Sequence, residues 1–392
     1  MPAYILRRIG YSLLIVVGVV IFTFVLFNLA AGDPAAAALG KNATPREIED
    51  FRRELGADLP LFFGRRCRSE AFPNGETPVS AAGGALHRAF ESGELVALCR
   101  LADGSAVECR VSPGTTEFPL PSGCRSAEFY RLQSNPFHSQ FSRALGEIVH
   151  FKREFPFVEF FDFGRTLTTR EEVRGVIARG IGPSLALMLP IFVGEIAFGI
   201  LFALIAAAWK DRWPDRLLVV LSVAGMSVSY LVVIILGQWF FGYRCGWFPL
   251  WGFEGVRHLL LPVIVGILSG IGGNLRFFRT VFVNELAAGY LRTAAAKGVS
   301  APAIYGRHLL RNAAIQIITR AGSGLPFLFT GSLLLESFFG IPGLGFAGVD
   351  ALYNSDLQLL KAIVVMSSLL FVVINLLADL AYAWADPRVR LE

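Results

Sequence analysis

Six stretches of the chain are apolar for long enough to cross a bilayer, given that a hydrocarbon core of about 30 Å takes about 20 helical residues. The first runs from Ile9 to Ala31, uncharged and preceded by Arg7 and Arg8. The others cover about Pro183 to Trp209, Leu217 to Phe241, Leu259 to Asn274, Ala313 to Phe339 and Ala362 to Trp384. The fourth is short, and Pro262 with several glycines blurs its limits. A signal peptide is the competing reading of the first. It is longer than a usual apolar core of about 7–15 residues, and Asn28 spoils a small-x-small cleavage site ending at Ala30, so it is read as a retained span. The pattern predicts an all-α polytopic membrane protein with six transmembrane helices.

Basic residues set its expected orientation. Arg7 and Arg8, then Lys210, Arg212 and Arg216, then Arg276, Arg279, Arg292, Lys297, Arg307 and Arg311, and finally Arg388 and Arg390 fall on one side of six spans. Lys and Arg gather on cytoplasmic loops, so both termini are expected in the cytoplasm. The opposite side receives residues 32–182, 242–258 and 340–361. Long loops cross largely regardless of charge, so the mixed charges of the first of these do not contradict the assignment.

That long outer segment has a different texture. Gly32-Asp33-Pro34 signals a turn. Thr44-Pro45-Arg46-Glu47 reads as a capped helix start, with the helix ending near Leu55 and stopping at Gly56. From about Phe62 to His138 the chain turns to Gly, Pro, Ser and short strand-like runs. Leu95–Cys99 and Ala106–Val111 flank Asp103-Gly104, a hairpin signal. The expectation is a small mixed or β insertion. Cys67, Cys99, Cys109 and Cys124 all lie in it, and an even count outside the cytoplasm reads as two disulfides. Cys99–Cys109 with Cys67–Cys124 is the favoured of three pairings, because the first two flank the hairpin symmetrically. Cys-x-x-Cys spacing for a metal is missing. Cys245, in another outer loop, is expected to be a free or partly buried thiol.

Composition fits this division. Of 392 residues, 54% are hydrophobic and only 17% charged, which excludes a disordered or collagen-like chain. A mean hydropathy of +0.55 is nevertheless low for spans and short loops alone, as a polar insertion would make it. The net charge of +5 belongs with cytoplasmic loops rather than with nucleic acid, because no basic segment is interleaved with aromatics.

Candidate chemistry is sparse. The chain has no Gly-x-x-x-x-Gly-Lys-Ser/Thr loop for ATP and no His-Glu-x-x-His, and its five His have no metal-ligand spacing. No catalytic group, metal site or cofactor is expected. Gly322-Ser323-Gly324 reads as helix packing rather than as a nucleophile elbow. Ionisable groups inside apolar runs are functional candidates. Glu195 and Arg320 are expected to pair or to line a wet cavity together; the bland alternatives are a polar helix contact for Glu195 and an interfacial Arg320. Asn28, Asn375 and Asp379 read as interhelical hydrogen-bonding groups, with Asn28 retained as a translocation-path candidate. Glu336 either contacts solute or binding protein or caps local backbone amides.

The most informative stretch is Phe277 to Asn312. It contains Tyr290-Leu-Arg292-Thr293-Ala294-Ala-Ala-Lys297-Gly298 and then Arg307-His308-Leu-Leu-Arg311-Asn312. Two short helices are expected, with Gly298 ending the first and Ser300 capping the second ahead of Pro302. This stretch resembles the coupling loop of permease subunits of ATP-binding-cassette importers, and is similar in particular to the B-type subunit of dipeptide, oligopeptide and nickel importers. Further landmarks agree in order: Ala31-Gly32-Asp33-Pro34, Arg53-Glu54-Leu55-Gly56, Phe163-Gly164, Gly246-Trp247-Phe248-Pro249, Gly340-Ile-Pro342-Gly343-Leu344-Gly345 and Asp386-Pro387-Arg388. Only about Phe62 to Glu147 is left uncovered. The broader importer signature begins Glu-Ala-Ala, where this chain has Arg292, Thr293 and Ala294.

The resemblance implies the type I importer permease fold and a half-permease in the bacterial inner membrane. It would pair with a homologous C-type permease, with two cytoplasmic ATPase subunits that carry ATP and Mg, and with an extracytoplasmic solute-binding protein. Peptides are the expected solute, with nickel chelates or other peptide-like solutes as the alternative; a secondary transporter or channel is the alternative of another class. The ATPase seat is expected at Arg292, Thr293, Ala294, Lys297 and Gly298, supported by Arg307 and Arg311. The expected organisation is a first span over 1–31, an outer region over 32–182 with its insertion at about 62–147, and a five-helix core over 183–392 with the coupling loop at about 277–312.

Overall fold

The computed structural model describes residues 2–29, 39, 45–69, 95–101, 105–111, 124–151, 158–160 and 162–385. The Gly32-Asp33-Pro34 turn, the Thr44 cap, the Asp103-Gly104 turn, Arg388 and Arg390 lie outside these residues, as do the side chains of Asn28, Cys99 and Cys124. The chain divides into two compact units, one of residues 1–21, 171–354 and 359–392, the other of residues 22–170 and 355–358.

Helix α1 (Pro2–Leu29) carries the first apolar run. In the smaller unit, α2 (Pro45–Leu55) ends as its sequence requires. Gly56 takes φ +71°, its N–H reaches Arg53 O at 3.0 Å, and Ala57 N–H reaches Arg52 O at 2.9 Å. This paired closure satisfies two otherwise orphaned carbonyls. Strands β1 (Arg66–Ser69), β2 (Leu95–Leu101), β3 (Ala106–Val111) and β4 (Cys124–Leu132) form an antiparallel sheet in the order β1-β4-β2-β3. The expected β insertion is therefore present, and its neck is narrow. Gln133 N–H donates to Arg65 O at 2.9 Å and Gly64 N–H to Pro136 O at 3.0 Å. Gln133 Nε2 adds bonds to Gly64 O and His138 O. Below the neck, α3 (Gln140–Ile148) is fixed by Gln140 Nε2, which donates to Ala57 O and Leu59 O. Phe24, Phe62 and Phe141 form a ring cluster with centroids 5.2 to 5.4 Å apart.

The strand register overturns the expected disulfides. Cys109 lies opposite Ala97 and Cys99 opposite Val107. The two are diagonal neighbours, about 7–8 Å apart, and a disulfide needs Cα atoms within about 7 Å. Cys109 is a free thiol. Cys67 lies opposite Arg131 on β4, seven residues from Cys124. At the rise of a strand that is about 23 Å. Flanking a turn symmetrically in sequence did not place the two residues opposite one another in the ladder. Cys245 is a free, half-buried thiol, as expected.

In the larger unit, α4 (Val173–Ala208) starts ten residues before the apolar run, with Arg174 and Arg179 in its leading turns. The third run is α5 (Trp213–Ser227) and α6 (Tyr230–Gly237) with a π-helical extension over Gln238–Arg244, bent by 97° at the break. Ser227 Oγ bonds back to Val223 O, a contact that bends helices, and Ser229 is extended. The fourth run lengthens into α7 (Val256–Leu286). The fifth is not one helix. It is α11 (Ala314–Gly324), α12 (Phe327–Thr330) and α13 (Leu333–Phe339), interrupted at Pro326 and at Gly331 with φ +69°. An 80° bend then leads into α14 (Leu344–Tyr353), and α15 (Leu357–Ala385) closes the unit. Among the described residues four helices are long and apolar enough to cross a membrane, or up to six if each bent pair counts as one.

The axis of this unit is the seam between α4 and α7, built on small residues. A Cβ on Gly266 would strike Ile191, one on Gly194 would strike Ile267, and one on Gly199 would strike Asn274. Gly266 and Gly270 form a Gly-x-x-x-Gly pair, the spacing that lets membrane helices approach closely. The matched pairs 191/266, 195/270 and 199/274 advance together, so α4 and α7 run parallel. Parallel neighbours require the chain between them to return to the starting side, which α5 and α6 do as a pair.

Candidate functional site

The connection after α7 forms two short helical pieces. Helix α8 (Gly289–Ala296) ends at Lys297, and Gly298 follows with φ +80°. Gly298 N–H bonds Ala295 O at 3.0 Å, and Val299 N–H bonds Ala294 O at 3.2 Å. This is the same closure that ends α2, so Gly298 is the expected terminator. A Cβ at Gly298 would meet nothing within 4 Å. The second piece runs through α9 (Ala301–Ala303), a π-helical turn over Ile304–Leu309, and α10 (Leu310–Asn312). Ser300 sits at its N-cap position, but its hydroxyl makes no capping bond. The backbone carbonyl alone receives Ala303 and Ile304 N–H.

Exposure divides this connection cleanly. Arg292, Thr293, Lys297, Gly298, Arg307 and Arg311 are exposed, and Ala294 is half-buried. Beneath them, Leu291 (4% exposed), Leu309 (0%) and Ala313 (0%) enter a core made by Ala203, Ala207, Phe278 and Phe282 of α4 and α7. Tyr290 Oη donates to Glu285 Oε2 at 2.9 Å, binding α8 to the end of α7. Partial burial, with that bond behind it, holds the Tyr290 phenol above its ordinary range, so it stays a donor. The basic and small residues thus form a presented surface on a rigid underside. The anchoring residues were invisible as site residues in sequence, because an isolated Leu in an Ala-rich stretch carries no distinguishing mark.

Glu195 and Arg320 lie near one another without a direct ion pair. Asn274 stands between them: Arg320 Nε donates to its Oδ1 at 3.0 Å, and its Nδ2 reaches Glu195 Oε2 at 3.5 Å. The Glu195 carboxylate packs onto Gly270, where any Cβ would fall within 2 Å of it. The Arg320 guanidinium also lies 5.7 Å from the Phe277 ring centroid.

Glu336 has a defined place. It is fully buried. Its Oε1 accepts from Ser184 Oγ at 2.9 Å and Ser332 N–H at 3.1 Å, and its Oε2 from Gly345 N–H at 2.6 Å and Phe346 N–H at 3.1 Å. Ser184 Oγ in turn accepts from Leu344 N–H at 2.8 Å. The first amides of α14 are thereby capped across the 80° bend. Of its two sequence readings, backbone capping is the one this geometry realises. Asp379 pairs with Arg8 at 2.9 Å, joining α1 to α15, whereas Asn375 bonds Phe371 O of its own helix. A charge pair that sequence reasoning missed joins Arg279 to Asp215, with Nε–Oδ1 at 2.5 Å and Nη2–Oδ2 at 2.6 Å. Among the described residues no group of His, Cys, Asp and Glu could hold a metal ion.

Residues 199–391 match the family of binding-protein-dependent transport system inner membrane components, and residues 1–65 match the N-terminal model of such membrane components. The chain is similar to the glutathione transport system permease protein GsiC of Salmonella paratyphi A, at 34% identity over 66% of this chain and 81% of that protein. It is likewise similar to GsiC of Escherichia coli K12 and of Salmonella typhimurium, each at 36% identity over 59% of this chain and 76% of the relative. The N-terminal match stops at residue 65, the residue at which the neck of the β insertion closes.

Proposed function

Because the chain belongs to the family of binding-protein-dependent transport system inner membrane components, we propose that it forms one half of the translocation path of an ATP-driven importer for peptides or peptide-like solutes. It is an inner-membrane, multi-pass permease subunit of the ATP-binding-cassette importer type. In the proposed assembly a homologous C-type permease supplies the other half, and two cytoplasmic ATPase subunits carry ATP and Mg. A binding protein on the outer side delivers the solute. Both termini then lie in the cytoplasm, and the chain itself hydrolyses nothing.

The observation that carries this reading is the two-sided connection at residues 289–313. An ATPase that moves a membrane protein needs a rigid element to hold, and that element must be welded to helices with two arrangements. Arg292 to Gly298 offer the exposed side, and Leu291, Leu309 and Ala313 pass displacement to α4 and α7. The glutathione transport role in the relatives' names supports a small peptide-like solute over a nickel chelate. Mild-detergent purification of the tagged full chain from its native membrane tests the assembly. A second permease and two ATP-binding subunits are expected in the same peak; recovery of the chain alone would overturn the proposal.

A further inference from the structure

Trp209 closes the second apolar run and Leu217 opens the third, so the turn over residues 209–216 sits at a boundary of the bilayer, where Trp and basic side chains gather. A groove of about 450 Å³ opens on this turn, lined by Trp209, Arg212, Trp213 and Pro214. The turn is fixed from within. Asp211 takes φ +64°, its N–H donates to Asp215 Oδ2 at 2.9 Å, and Arg212 N–H donates to Trp209 O at 2.9 Å.

Charge is unbalanced there. Lys210, Arg212 and Arg216 are exposed, and among the described residues none of them has a carboxylate within ion-pair distance. Buried Asp215 is taken by Arg279 through two bonds, and exposed Asp211 offsets only one of the three cations. Arg212 stands at the N-cap position of α5 and makes no side-chain capping bond. Cations at the start of a helix oppose its dipole, so the stability of α5 does not account for them.

The exposed face of α5 continues from the same place. Trp213, Arg216, Leu217, Val220 and Leu221 recur at three- and four-residue spacing, and all are exposed. At the helical rise this stripe is about 12 Å long, comparable with one leaflet of a core about 30 Å thick. Cations and indoles at one end of an apolar stripe of that length have the outline of a phospholipid. A free phosphate would use only the cations, and a polar peptide would leave the stripe unmatched.

We propose that the groove at Trp209, Arg212 and Trp213, with Arg216 beside it, holds the phosphate headgroup of an anionic phospholipid whose acyl chain lies along Leu217, Val220 and Leu221. The site is separate from the solute path and from the ATPase seat, and requires only that the chain cross a bilayer.

The test uses the full chain, purified with its bound partners and reconstituted in phosphatidylcholine vesicles. A phosphatidylglycerol and a phosphatidylcholine with the same photoactivatable diazirine chain are added separately as minor components, and labelling of residues 209–221 is measured by mass spectrometry. The anionic probe is expected to label this segment about fivefold more, the factor that one arginine near a lipid surface supplies. Arg212→Gln with Arg216→Gln should bring it down to the level of the phosphatidylcholine probe, and lysine at both positions should keep the preference. Excess inorganic phosphate, compared with chloride at equal ionic strength, should not displace the label; displacement would overturn the lipid in favour of a free anion. Equal labelling by the two probes, or an unchanged preference in the glutamine variant, would overturn the headgroup site. No labelling by either probe would mean that protein covers this face, and would overturn the proposal as well.

Discussion

A buried carboxylate is expensive unless every lone pair finds a donor, and Glu336 finds four: Ser184 Oγ and the N–H groups of Ser332, Gly345 and Phe346. Removing it strands amides on both sides of the bend between α13 and α14. Glu336→Ala should therefore destabilise the chain by on the order of 3 kcal/mol, with Glu336→Gln intermediate. The check is a thermal melt of the detergent-solubilised protein, in which the Ala variant should melt lowest. Charges of this kind were legible as candidates, since Glu195, Arg320 and Glu336 stand out in apolar runs. Their partners were not. Asn274 and Ser184 are modest polar residues of the sort that many helices bury, and only the packing of α7 and α14 against α4 selects them. Asp215 and Arg279 were missed as a pair because their contact spans 64 positions in sequence and depends on α7 running past its apolar stretch.

Among the elements, those fixed by short-range chemistry were legible. Gly56 and Gly298 end their helices where a positive φ is needed, and the β2–β3 hairpin forms where two strand-like runs flank a turn signal. Properties set by ladder register or by bends were not legible: the cysteines miss one another, and the third and fifth apolar runs break where hydropathy is continuous. At Gly298 the surrounding space is open, so any substitution acts through the backbone rather than through a clash. A β-branched residue in that conformation costs about 1–2 kcal/mol, while Asn tolerates it. Gly298→Val should cut solute-stimulated ATP hydrolysis by the purified complex several-fold, and Gly298→Asn should stay near the parent rate. Equal losses would mean that the seat needs a bare backbone rather than a left-handed turn.

At the scale of the molecule, the parallel seam of α4 and α7 and the narrow neck of the β insertion set the organisation. The insertion is expected over about 62–147; its described strands lie between residues 66 and 132, and beyond them Gln133 and Gln140 bond back to Arg65, Ala57 and Leu59. The apolar runs were legible from hydropathy: among the described residues they become four long helices and two bent pairs, and the expected alternation agrees with the parallel direction of α4 and α7. Replacing residues 66–132 by a two-residue Asn-Gly turn should leave membrane insertion and partner recovery unchanged, measured by the yield of complex from membranes. A collapse in that yield would mean that the sheet is part of the permease architecture.

The neck also bears on inheritance. Where a chain leaves and re-enters its fold one hydrogen bond apart, a single in-frame event at one point of the gene adds or removes everything beyond it. Arg65 and Gln133 mark such a point, so the sheet between them can be gained, exchanged or lost with a single junction to repair.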